Sequence, residues 1–114
     1  MLLLTSTSDK IQIITGEART IDVHASFVDY NGTTVTPGRQ NTAISTAATT
    51  DVVSAPGSST QRNLKTLNVR NKDVSTATIT VQHTDGSVVP ELYKVSLPAN
   101  SEFQYVDGLG WMML

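Results

Sequence analysis

TIDVHASFVDY, residues Thr20 to Tyr30, sets Ile21, Val23, Ala25 and Phe27 in strict alternation with Asp22, His24 and Ser26. A period of two places the first set on a buried face and the second toward solvent, the signature of a half-buried β-strand. Directly after it comes Asn31-Gly32, the strongest short hairpin signal because both central residues of a type I′ turn need positive φ. A short return strand is expected over residues 33–36, ended by Pro37-Gly38.

The same pattern recurs on either side. Ala77, Ile79, Val81 and His83 share one phase, and Thr84-Asp85-Gly86-Ser87 then predicts a turn into a strand over Glu91 to Leu97. Pro90, just ahead of that strand, suits an edge position. Phe103 and Tyr105 alternate within Glu102 to Val106, and Asp107-Gly108 leads into Trp111 to Leu114. In Asn63 to Arg70, Leu67 and Val69 share a face with which Leu64 is out of phase, so a bulge is expected near Lys65-Thr66. Lys10 to Ile14 carries Ile11 and Ile13 on one side and Ile14 on the other, the pattern of a strand covered on both faces.

Residues 37–61 are different: 15 of the 25 are Gly, Ala, Ser or Thr. This segment is expected to be a small-residue loop or arm reaching a neighbouring subunit, or to hold a strand over Thr49 to Ser54, where β-branched residues gather. No helical period persists anywhere. Eight or nine short strands joined by turns make the chain all-β, a single antiparallel β-sandwich of jelly-roll or immunoglobulin-like type spanning residues 1–114.

Composition excludes several function classes. Eight Lys and Arg against ten Asp and Glu give a net charge of −2, and the basic residues are spread along the chain, so no phosphate backbone is expected as partner. There is no cysteine, hence no disulfide, thiolate metal site or thiol redox chemistry. Leu2-Leu3-Leu4 is too short for a signal-peptide core, and no stretch reaches the roughly 18 apolar residues of a spanning helix, so neither export nor a membrane partner is expected.

Catalytic motifs are lacking as well. Asp22, His24 and Ser26 stand about 7 Å apart in succession on one strand face, too far for a nucleophilic triad. His24, His83 and Asp85 have none of the close ligand spacing of a metal site, and Asp85 is more simply a turn residue. The expectation is therefore no enzyme, no catalytic residue, no cofactor and no metal. What does stand out is apolar: Leu2, Leu3 and Leu4 at one end, and Trp111, Met112, Met113 and Leu114 at the other. Such segments fray unless they pair in a sheet or dock on a partner. These seven residues are the candidate partner interface, and removing Leu2–Leu4 or Met112–Leu114 should abolish assembly, whereas changing His24 and His83 to Gln should do little.

Five segments carry a resemblance: MLLLTSTSDKIQ (1–12), IDVHASFVDYNGTTVTPGRQNTAIST (21–46), APGSSTQRNLKTLNVRN (55–71), VQHTDG (81–86) and LYKVSLPANSEFQYVDGLGW (92–111). Together they resemble small structural proteins of tailed bacteriophages and their prophage relatives over nearly the whole chain. The shared features are structural ones: turn residues, alternating strands and a closing Gly-Trp. The resemblance implies a virion protein made in the bacterial host cytoplasm, first of all a capsid decoration or cement protein that binds the major capsid protein as a homo-oligomer, such as a trimer. The runner-up it implies is an accessory protein of the tail, neck or fibre attachment site. A carbohydrate-binding module is a third reading, and it requires Trp111 or Tyr105 exposed beside Asn or Asp residues.

Overall fold

Ten strands form in the computed structural model, which describes residues 1–114: β1 Leu2–Leu4, β2 Lys10–Thr15, β3 Ile21–Tyr30, β4 Val35–Ile44, β5 Thr49–Val53, β6 Gln61–Asn71, β7 Ala77–Thr84, β8 Glu91–Leu97, β9 Glu102–Val106 and β10 Gly110–Met113. All pairings are antiparallel. One sheet runs β10-β9-β6-β3-β4, with β1 also paired to β6; the other runs β5-β2-β7-β8. The two sheets enclose a single cluster of 19 buried apolar residues, among them Ile21, Val23, Ala25 and Phe27 of β3 and Ala77, Ile79 and Val81 of β7. The all-β sandwich expected from the alternation is the fold. β2 lies beside β5 and β3 beside β6, the interleaving that strands B, E, C and F have in immunoglobulin-type sandwiches.

The bulge falls where the phase shift of Leu64 placed it. Ser26 pairs with Thr66 and Phe27 with Leu64, leaving Lys65 as the extra residue. That one-residue insertion returns Leu64 to the inner face with Leu67 and Val69.

Several expectations are corrected. Pro37-Gly38 does not end a strand: β4 runs through both for ten residues. As an edge strand, β4 can absorb the proline's missing N–H, and Gly38 is required by its cross-strand partner. A Cβ at Gly38 would lie 2.6 Å from the Phe27 ring, so the ring occupies the space that glycine leaves. The Asn31-Gly32 turn is a four-residue loop, not a two-residue type I′ turn. Only Gly32 has positive φ, and the Asn31 side-chain oxygen accepts from the Thr33 and Thr34 amides. Of the two readings of residues 37–61 the strand holds, as β5 takes Thr49–Val53; β4 also claims 37–44, so only 45–48 and 54–60 remain as connections. The count of eight or nine strands rises to ten because β1 is itself a strand. Ile14 is only half-buried, so β2 is covered on one face rather than two.

Candidate functional site

The seven apolar residues of the first and last strands come to one margin of the larger sheet, though β1 and β10 do not pair with each other. β1 pairs with β6 at Leu2↔Leu64, Leu3↔Asn63 and Leu4↔Arg62. β9 pairs with the next stretch of the same side of β6, from Thr66 to Arg70, and β10 in turn pairs with β9. Leu4 is fully buried and Leu2 packs against the core, whereas Leu3 is 40% exposed. On β10, Trp111 and Met112 are half-buried and Met113 is 45% exposed, while Leu114, just beyond the strand, is 62% exposed. The segments are thus divided by residue: Leu2, Leu4 and Trp111 serve the fold, Met112 is half-buried, and Leu3, Met113 and Leu114 are exposed.

Trp111 closes the flank of the sandwich. Its ring stacks on Tyr93 of β8 at 5.0 Å and 3°, and meets Tyr105 at 5.0 Å and 50°. Phe103 tilts against both Tyr93 and Trp111. Burial, and then the nearby Asp107 charge, push the Tyr105 phenol above its ordinary range. The exposed aromatic that a sugar-stacking site needs is not formed by Tyr105, which is only 5% exposed, nor by Trp111, which gives a face to Tyr93.

A free strand edge offers unpaired backbone groups to another chain, and proteins protect such edges with charge or proline. β4 carries Pro37 and Arg39, β5 carries Asp51, and β8 carries Glu91 and Lys94. β10, Gly-Trp-Met-Met, carries neither. β1, Leu-Leu-Leu, also lacks both, but its Leu3 carbonyl already accepts a hydrogen bond from His83 Nε2 at 3.1 Å. His83 is therefore more than the surface strand residue expected: it ties β1 to the opposite sheet. No sequence signal marks this contact, which joins residues 80 positions apart.

The outer face of the larger sheet holds a second feature. Register places Asn41, His24 and Asn68 side by side across β4, β3 and β6, with Ala43, Asp22 and Arg70 in the next row. They line a shallow depression of about 500 Å³. His24 Nδ1 donates to Asn41 Oδ1 at 2.6 Å, Asn68 donates to Glu102 at 3.1 Å, and Lys72 pairs with Asp22 at 2.9 Å. Asp22, His24 and Ser26 form no triad, because His24 turns to Asn41 and the Ser26 hydroxyl to that of Thr66. No group of three or more His, Asp or Glu side chains is gathered where it could hold a metal ion.

No protein-family model, curated protein or solved structure matches the chain.

Proposed function

We propose that this protein is a non-enzymatic structural component of a tailed-phage virion, a capsid decoration or cement protein that attaches to the head shell. The observation that supports this reading is the unprotected margin at β10, with Met113 and Leu114 exposed on it. A surface module needs one docking edge and a rigid body behind it. β10 provides the first, and the closely packed aromatic flank behind Trp111 provides the second. The partner is the major capsid protein, met by a homo-oligomer such as a trimer so that one assembly bridges several shell subunits.

Gold-labelled antibody against the chain, viewed by electron microscopy on intact parent particles, tests the reading. Label spread over the head is the expected result. Label confined to the tail or neck would replace decoration with an accessory tail role, and unlabelled particles would remove the protein from the virion.

A further inference from the structure

We infer that the depression on the outer face of the larger sheet is a binding site for a neutral saccharide, held by His24, Asn41, Asn68 and Arg70. This site lies apart from the β10 margin and stands whether or not the chain belongs to a virion. Three adjacent strands bring the side chains into two rows, with neighbours about 4.8 Å apart, a spacing that suits alternate, not adjacent, hydroxyls around a sugar ring.

Each polar side chain is anchored by one function and leaves another free. His24 spends its Nδ1–H on Asn41 Oδ1, which leaves the Nε2 lone pair as an acceptor and the Asn41 amide N–H as a donor. Asn68 spends its amide on Glu102, leaving its carbonyl oxygen. Arg70 meets Glu102 through Nη1 at 3.4 Å, leaving Nη2 as a donor. The free set therefore mixes donors and acceptors on planar groups already held in place, and a hydroxyl, which both gives and takes a hydrogen bond, satisfies such a set.

Charge selects within that class. Asp22 and Glu102 are matched by Lys72 and Arg70, so neither an anion nor a cation gains a net partner. The exposed Ala43 methyl offers the only apolar contact from the β4 side, suited to a C–H face. About 500 Å³ lies within the range of small-molecule sites, about 300–1,000 Å³. With no Trp, Tyr or Phe among the residues lining the depression to stack against the sugar, single-site affinity is expected in the millimolar range, and an oligomer would gain by multivalency.

The test is a 1H–15N NMR titration of the full chain with the methyl glycosides of glucose, galactose, mannose and N-acetylglucosamine, and with inorganic phosphate. At least one glycoside should shift the backbone signals of His24 and Arg70 and the side-chain amides of Asn41 and Asn68. Asn68→Ala and His24→Ala should each weaken that response roughly tenfold, the loss of one or two net hydrogen bonds. Ala43→Glu, at an exposed edge position, should block it without altering the thermal midpoint. The inference is overturned if no glycoside shifts these signals, if the shifts centre on Trp111 and Tyr93, or if phosphate competes equally well.

Discussion

Asn71 shows how much one side chain can carry when two sheets must be joined at their ends. It closes β6, is fully buried, and donates from Nδ2 toward the carbonyls of Ser75, Leu97 and Pro98 at 2.9, 3.0 and 3.2 Å. Its Oδ1 accepts from the Asp73 amide. The carbonyls of Leu97 and Pro98 belong to the end of β8 and the turn beyond it, so this amide bolts one sheet to the other. Asn71→Ala removes the donor and leaves buried acceptors unmet, at a cost of about 2–3 kcal/mol. Asn71→Asp is expected to be worse despite its near-identical shape, because a carboxylate would face three carbonyl oxygens with no proton to give. Urea unfolding of the two variants checks the order; an Asp variant as stable as wild type would mean that the amide is not the tie. Nothing in the sequence marks Asn71, since a buried asparagine at a strand end looks like any turn asparagine until its distant partners are known.

At the level of elements, what was legible followed from local periodicity and what was not depended on partners. β3, β7 and the Lys65 bulge could be read because a period of two records the buried face directly, and a break in phase records an inserted residue. β4 could not, because whether Pro37 stops a strand depends on its being at an edge, and Gly38 is demanded by a ring on another strand. The row of Asn41, His24 and Asn68 was hidden for the same reason: it exists only once the register of three strands is set. The connections have a shared chemistry. Carboxylates accept backbone amides at three of the connections: Glu17 from Thr78, Asp73 from Thr20 and Val74, and Asp85 from Ser87 and Val88. Those amide bonds hold all three below their ordinary titration range. A group with a depressed folded pKa adds stability above its unfolded value and loses it as pH falls through the folded one. The protein should therefore keep its thermal midpoint from neutrality down to about pH 4.5 and lose stability progressively below about pH 4. Asp73→Asn combined with Asp85→Asn should flatten that acid limb, as followed by circular dichroism; an unchanged slope would show that these turns do not couple to folding.

For the whole molecule, 46 × 27 × 20 Å in extent, the question is which border meets another chain. The apolar first and last segments were visible in the sequence, but their division into core and surface was not. Leu4 is fully buried, so removing Leu2–Leu4 takes a leucine from the core at a cost of about 2–5 kcal/mol. Lost assembly in such a truncation would report unfolding as readily as a lost contact, and deleting Met112–Leu114 would likewise strip most of β10 from β9. Point changes separate the two effects. Met113 and Leu114 are exposed, so Met113→Lys with Leu114→Lys should leave thermal stability within about 0.5 kcal/mol. Placed on an edge that has no charge of its own, the two lysines should repel an incoming strand or apolar surface. Under the proposed capsid-decoration role, incorporation into phage particles, quantified against the major capsid protein, should then fall at least tenfold, the loss ascribed to a central contact. Arg39→Ala, on the protected β4 edge, should incorporate normally. Full occupancy by the double-lysine protein, with its fold intact, would move the docking surface away from β10, and loss of occupancy in Arg39→Ala alone would move it to β4.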